Sequence, residues 1–261
     1  MVKNYKGKIS SILIDPPYNS NIDYIGYKDS NYSEGYTSFL RDRFEVSKKL
    51  LSEDGFMIIN IDEGELSNLE KLVRDIFGNG LVTVHKWKKK HPYFDINRVV
   101  LNPNKKQTDF EYIIVCRKSE KSKLNQIKQP YLKNGLIFEK DDEFPYIFDC
   151  FGTTSSAKDE IKELFGTREF FSTPKPVKLI KEFVRATTNK NSIVLDDFAD
   201  DSVVLDFFAG SGTTGQAVEE LNQEDGGNRK YILISNSESN ICKNVTTKRM
   251  SLTKSDFIFL D

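Results

Sequence analysis

Two short stretches carry residue types that could do chemistry together. They are Asp15-Pro16-Pro17-Tyr18 near one end and Asp206-Phe207-Phe208-Ala209-Gly210-Ser211-Gly212-Thr213-Thr214-Gly215 near the other. In the first, Asp15 offers a carboxylate. The two prolines fix φ and remove two N–H donors, so the turn is stiff and its carbonyls are open to accept hydrogen bonds. Tyr18 adds a flat ring. Oxygen acceptors beside a ring suit a planar base with an exocyclic NH2, the amine donating while the ring stacks. A proline turn that merely caps a core strand would have the same composition. In the second stretch, glycines let the backbone approach a ligand closely, and the helix start that follows offers free N–H groups to a carboxylate or phosphate. Gly210, Gly212 and Gly215 also satisfy G-x-G-x-x-G, so nicotinamide dinucleotide binding is a competing reading. Against it, the next strand, over 231–235, has no acidic residue at its tip, and the Asp15 turn would have no role.

Strands must aim both stretches. The apolar run 9–14 predicts a buried strand ending at Asp15, and 202–206 a second ending at Asp206. Carboxylates at the C-terminal ends of strands sit where open α/β sheets bind ligands. Between them the pattern alternates. Apolar residues at helical spacing cover 37–51 and 66–77, Gly55 reads as a turn, and strands are expected over 56–61, 81–87 and 110–116. Strand, helix, strand, helix, strand predicts a mostly parallel sheet covered by helices. Residues 119–150 lack clear periodicity and read as irregular or as a small appendage. Helices follow over 158–165 and 177–186, the second with Thr173 as its expected N-cap. Lys175 then stands near the positive end of a helix, where a cation is disfavoured, and calls for an anionic partner or for solvent. The polar loop 19–36 carries Tyr24, Tyr27, Tyr32 and Tyr36, rings of the kind that stack on bases. Residues 191–200 nearly repeat 201–210 without the glycines, and no function follows from that.

With 261 residues, 38% of them hydrophobic, the chain can bury a sizeable core, and one domain over 1–261 is expected. The net charge of −1 excludes reading nucleic-acid binding from the total, so a local patch is needed. One exists. Residues 85–133 hold 13 Lys and Arg against four Asp and Glu. Within it Lys86, Lys88, Lys89 and Lys90 surround Trp87, a density suited to phosphates with an interleaved ring. A plain solvated face would carry the same charge run, so nucleic-acid contact by the basic insertion over 88–150, the candidate target-recognition region, stays one of two readings. Three dispersed cysteines and two histidines argue against a metal site or a disulfide framework and fit a reducing cytoplasm. No apolar run approaches the ~18 residues of a membrane span.

D-P-P-Y and F-A-G-S-G-T-T, in this order, resemble the amino-group DNA methyltransferases of the β class, most closely the modification subunits of type III restriction systems. The flanks 51–62, 171–179 and 221–230 look alike too, so the resemblance covers most of 8–87 and 158–249. It implies a permuted Rossmann-like α/β fold, S-adenosyl-L-methionine as cofactor, and methyl transfer to the N6 amine of adenine in double-stranded DNA. A restriction subunit and a homodimer are the implied partners. Carried over by position, Asp15, Pro16, Pro17 and Tyr18 match the catalytic motif, with Asp15 and the Pro16 carbonyl accepting from the amine of a flipped base on which Tyr18 stacks. Asp206, Phe208, Gly210, Ser211, Gly212 and Thr213 match the cofactor loop, and Thr173 and Lys175 the segment flanking its methionine end. Glu238 is the candidate for the ribose hydroxyls. The chain begins 14 residues before Asp15, and its recognition region is shorter than in type III subunits. The alternative is a truncated or inactive DNA-binding remnant, or a modification subunit dependent on a partner.

Overall fold

The computed structural model describes residues 2–19, 23–24, 27–28, 35–90, 109–190, 202–235, 240–253 and 257–259. In chain order the elements are α1 (Val2–Tyr5), β1 (Ile9–Ile14), β2 (Asp23–Tyr24), β3 (Tyr27–Lys28), α2 (Tyr36–Leu50), β4 (Leu51–Ile61), α3 (Glu63–Phe77), β5 (Val82–Lys88), β6 (Phe110–Arg117), β7 (Ile127–Lys133), β8 (Leu136–Asp142), β9 (Ile147–Phe148), α4 (Thr154–Phe165), α5 (Val177–Thr187), β10 (Val203–Asp206), α6 (Thr213–Asp225), β11 (Lys230–Leu233) and α7 (Thr247–Leu252).

Seven strands form one sheet in the order β11-β10-β1-β4-β6-β5-β9. β1 runs parallel to both β10 and β4, and β10 parallel to β11. β6 is antiparallel to β4 and to β5, so the sheet is mixed on that side. Strands buried on both faces read as continuous apolar runs, and β4 is such a strand. Met57, Ile59 and Ile61 pack with Leu40 and Phe44 of α2 and with Leu69 and Val73 of α3. Phe56 and Ile58, on the opposite face, pack with Leu179 and Phe183 of α5 and Val218 of α6. Helices thus cover both sides, in the Rossmann-like α/β arrangement expected.

The chain moves outward from β1 in both directions. β1-α2-β4 builds one flank and β10-α6-β11 the other, which puts the reversal of strand order at the β1/β10 boundary. In open α/β sheets the crevice outside the carboxyl ends of such strands binds ligands. Asp15 and Asp206 end those two strands.

Several local expectations change. Gly55 is not a plain turn: β4 pairs Leu51 with Ile9 and then Phe56 with Ser11, so residues 52–55 bulge out of an otherwise continuous pairing. Of the two readings for residues 119–150, the small appendage holds: β7 and β8 form a two-stranded sheet of their own. β7 and β8 form an antiparallel hairpin closed by Asn134 and Gly135, both at positive φ (52° and 78°). Asn-Gly between two strands is the type I′ hairpin signature. Thr173 does not cap α5; Pro176 does, its fixed φ leading into the first turn. α4 begins earlier than expected, where Thr153 and Ser156 complete a reciprocal capping box. The internal repeat over 191–200 lies outside the described residues. Among the described residues no helix is long and apolar enough to cross a membrane.

Candidate active site

β1 delivers Asp15 to the sheet edge, and four more polar groups from distant segments meet it there. The Tyr18 hydroxyl lies 2.8 Å from Asp15 Oδ1 and 2.9 Å from Glu111 Oε2. The Lys175 ammonium donates to Asp15 Oδ2 at 2.5 Å and to the Tyr18 hydroxyl at 2.9 Å, and stands 3.5 Å from Glu111 Oε2. Lys89 completes the group at 3.3 Å from Glu111 Oε1. The Lys175 and Glu111 side chains are buried at 8% and 11% exposure, whereas Asp15 keeps 28% of its side chain accessible. Of the two carboxylates, Asp15 is thus the one open to a donor from outside.

Burial pushes the Asp15 carboxyl above its usual range; Lys175 opposes the rise and the neighbouring Glu111 charge adds to it. Burial would raise Glu111 too, but the ammonium groups of Lys175 and Lys89 outweigh it and hold that carboxyl down. Burial disfavours the charged form of Lys175, yet the two carboxylates overcome this and keep it protonated. Tyr18 is raised well above its ordinary value by burial and by both carboxylates, so it remains a neutral hydroxyl. The anionic partner that Lys175 calls for is supplied inside the chain. Ionic groups this deeply packed are tolerated because they neutralise one another.

The turn itself is braced. The Tyr36 hydroxyl donates to the Pro17 carbonyl at 2.6 Å, which fills one of the acceptors left open by the prolines. Tyr36 is itself buried, so it supports the turn and is not a loop ring awaiting a base. Asn19, at positive φ, donates to Glu65 at 2.8 Å and ties the exit of the motif to α3.

The glycine loop stands on the neighbouring strand. Asp206 accepts from the Phe208 N–H (3.0 Å) and from the Thr214 hydroxyl (2.7 Å), closing the loop around its own carboxyl. Burial pushes Asp206 up to about 7 against these two hydrogen bonds, and the Asp15 charge nearby adds to the rise. Gly210 and Gly212 adopt left-handed φ of 47° and 79°. A Cβ on Gly212 would lie 3.1 Å from the Thr246 methyl, so both conformation and packing call for glycine there. Ser211 and Thr213 turn their hydroxyls toward the fully buried Arg249, whose Nη1 lies 3.1 and 3.0 Å from them. Arg249 Nε also donates to Gln216 at 2.7 Å. The two side chains therefore brace the loop, and a ligand would meet its main chain. Phe208 packs toward Phe39 with ring centroids 6.4 Å apart.

The basic run is used differently from the expectation of an exposed phosphate patch. Trp87 is fully buried in the core, its indole N–H donating to the Gly152 carbonyl at 3.0 Å, so it does not offer a stacking face. Period-2 alternation along β5 sends its ring inward. Lys88 pairs with Asp149 at 3.2 Å, and Lys89 is committed to Glu111. Lys86 sits about equally near the Phe110, Tyr112 and Tyr146 rings, 5.8–6.0 Å from their centroids. Lys90 lies at the end of the described stretch, partly exposed. Residues 91–108, with three of the nine other Lys and Arg of 85–133, lie outside the described residues, as do Tyr32 and Glu238 and the side chains of Tyr24 and Tyr27. Among the described residues no group of three or more His, Cys, Asp or Glu could hold a metal ion.

Glu111 was not singled out by sequence reasoning. Its signal was present: one glutamate near the start of the apolar run Phe110-Glu111-Tyr112-Ile113-Ile114-Val115 is out of place unless partnered.

The family model described as DNA methylase, of the N6/N4 type, matches residues 9–246. Among curated proteins, the Mod subunit of the type III restriction-modification enzyme StyLTI from Salmonella typhimurium is 26% identical over an alignment covering 88% of this chain and 49% of its own length. The chain thus spans about half the length of that relative. Among solved structures, PvuII DNA methyltransferase (cytosine-N4-specific) superposes with a TM-score of 0.57 at 18% identity, covering 97% of this chain and 87% of its own. The M1.HpyAVI-SAM complex superposes at 0.55 and 19%, covering 95% and 90%. At these identities the structural likeness establishes the α/β methyltransferase fold.

Proposed function

The chain belongs to the DNA methylase family of the N6/N4 amino-group type, and from that premise we propose that it methylates the N6 amine of adenine in double-stranded DNA with S-adenosyl-L-methionine as donor. One observation carries the reading. The Asp15 turn and the glycine loop end adjacent parallel strands, β1 and β10, at the point where strand order reverses. A base amine held at one and a cofactor held at the other would meet.

The residues fit that cofactor. The glycine loop presents main chain rather than side chains, because the Ser211 and Thr213 hydroxyls are engaged by Arg249. The start of α6 offers N–H groups suited to a carboxylate. Phe208 lies beside the loop as an apolar wall. When bound, the cofactor would supply an electrophilic methyl on a sulfonium. The chain's own task is to hold and orient the amine. Asp15, with the Pro16 carbonyl, accepts hydrogen bonds from it and directs its lone pair outward, while Tyr18 sits beside the base ring. A base inside a duplex is out of reach of such a recessed carboxylate, so the base must be extruded.

Aspartate rather than serine at position 15 favours adenine by family pattern; a restriction subunit as partner is proposed from the likeness to a Mod subunit of a type III restriction-modification enzyme, and a homodimer from the β-class resemblance alone. Lys90 and the basic residues of 91–108 remain the candidates for phosphate contact.

The test is tritium transfer from labelled cofactor to genomic DNA, followed by digestion and chromatography of the modified nucleosides. N6-methyladenine is expected, abolished by Asp15→Ala with cofactor affinity retained by calorimetry. N4-methylcytosine would refute the base assignment, and full turnover in Asp15→Ala would refute the site.

A further inference from the structure

In this structure both oxygens of Asp15 are already occupied, Oδ1 by the Tyr18 hydroxyl and Oδ2 by the Lys175 ammonium. Each carboxylate oxygen can accept a second hydrogen bond, so an amine arriving at Asp15 enters in competition with both partners. A lysine ammonium expelled from a carboxylate into a buried site without another anion would be costly. Here neither partner has far to go. Glu111 Oε2 is 2.9 Å from the Tyr18 hydroxyl and 3.5 Å from Lys175 Nζ. Both partners of Asp15 therefore stand between two carboxylates. The Tyr18 hydroxyl has one proton and can donate to only one of the two at a time.

We propose that Glu111 is a positioning residue that receives the Lys175 ammonium and the hydrogen bond of the Tyr18 hydroxyl when Asp15 turns to the incoming amine. The proposal rests on the methyl-transfer reading for what the amine is. The exchange itself concerns only this chain's side chains: one ammonium moves its principal contact from Asp15 to Glu111, and the Tyr18 hydroxyl donates to Glu111 instead of Asp15. No covalent bond changes. Lys89 tunes the balance from the far side of Glu111 by competing with Lys175 for the same carboxylate. The charged groups facing Asp15 are Lys175, Glu111 and Asp206; those facing Glu111 are Lys175, Lys89, Asp15 and Asp62. Among the described residues Glu111, which already accepts from Tyr18 and Lys89, is the other carboxylate within reach of both partners, whereas Asp206 is closed by Phe208 and Thr214 and Asp62 caps α3 through the Gly64 N–H.

Glu111→Gln removes the second seat. Lys175 then has Asp15 as its nearest carboxylate and stays on it, and the like charge that raised Asp15 is gone. Both changes lower the pH at which Asp15 titrates. Lys89→Met acts in the opposite sense, because Glu111 becomes less neutralised, draws Lys175 away, and repels the Asp15 charge more strongly. The experiment is a 13C NMR titration of aspartate-labelled full chain, with Asp15 assigned by its disappearance in Asp15→Asn, alongside single-turnover methyl transfer to DNA. The expected result is a downward shift of the Asp15 midpoint in Glu111→Gln and an upward one in Lys89→Met. Transfer in Glu111→Gln should fall about a hundredfold, as for a misplaced reactant, with cofactor affinity unchanged and partial rescue in Glu111→Asp. A fixed charge at Glu111 would move the midpoints in these same directions, so the exchange is read from the fall in transfer at unchanged cofactor affinity and from its rescue in Glu111→Asp. Unchanged midpoints, or Glu111→Gln transfer within about twofold of the parent, would overturn the proposal. Should Glu111→Gln not fold, transfer in Lys89→Met decides, and a value within about twofold of the parent would overturn the proposal. If the parent chain transfers no methyl to DNA, the methyl-transfer reading fails, and an Asp15 midpoint that does not move in Lys89→Met would still overturn the role of Glu111.

Discussion

The two halves of the cleft are built on opposite plans. On the β1 side, five polar side chains drawn from positions 15, 18, 89, 111 and 175 neutralise one another, and little of the geometry is local. On the β10 side, the working surface is main chain from one continuous segment, shaped by two left-handed glycines and held from behind by Arg249. The first half is adjustable, since its protons and contacts can redistribute among several carboxylates and cations. The second is rigid, because its side chains point into the protein. Chemistry that moves charge belongs with the first, and recognition of a constant cofactor with the second.

This contrast is open to attack at graded strength. The largest effect is expected for Asp15→Ala, which should reduce methyl transfer by more than about a thousandfold, within the range for loss of a principal polar group at a reacting centre. Calorimetry should find cofactor binding intact, because the β10 half is untouched; a parallel loss of binding would mean that the halves are not separable. Next comes Arg249→Met. It strips the brace from Ser211, Thr213 and Gln216, and denaturant unfolding should show a loss of about 3 kcal/mol, typical when one member of a buried polar network is removed. Gly212→Ala should cost about 1 kcal/mol from the left-handed φ alone, and should weaken cofactor binding more than it lowers the melting temperature. Equal effects on both would argue that the loop is structural only.

The smallest effect is one of pH. Burial lifts the Asp206 carboxyl to about 7 from an ordinary 3.8, so the native state binds the proton more tightly than the unfolded chain does. Stability from this group is therefore present at low pH and declines as pH rises from about 4 to 7. Asp206→Asn should accordingly melt higher than the parent at pH 8 and lose that advantage at pH 4. A difference that does not vary with pH would remove burial as the cause of the shift.

Much of this was readable from residue order. The strand ends at Asp15 and Asp206 followed from apolar runs bounded by turn residues, whereas the adjacency of the two strands is given by the sheet order. The partnering of Lys175 was foreshadowed by its position at a helix start. What stayed hidden depends on contacts far apart in sequence. Glu111 is an ordinary strand residue until β6 pairs antiparallel with β4 and brings it to the edge. Trp87 looked like a stacking ring among lysines because its inward direction is set by β5 pairing on both sides. The β7–β8 hairpin was an avoidable miss, since Asn134-Gly135 is a strong local signal and the flanking segments simply alternate poorly.

The position of β1 has a further consequence, for synthesis. Its two neighbours in the sheet arrive at very different times: β4 follows within the same stretch of chain, whereas β10 begins at Val203. At ribosomal rates of about 5–20 residues per second, some ten to forty seconds pass before the second edge of β1 can be covered. During that interval the strand Ile9-Ser10-Ser11-Ile12-Leu13-Ile14 presents an apolar, uncharged rim open to pairing with other chains. The nascent protein is thus most vulnerable to aggregation at the strand that later carries its reactive carboxylate, and a chaperone that shields extended apolar segments would act there first.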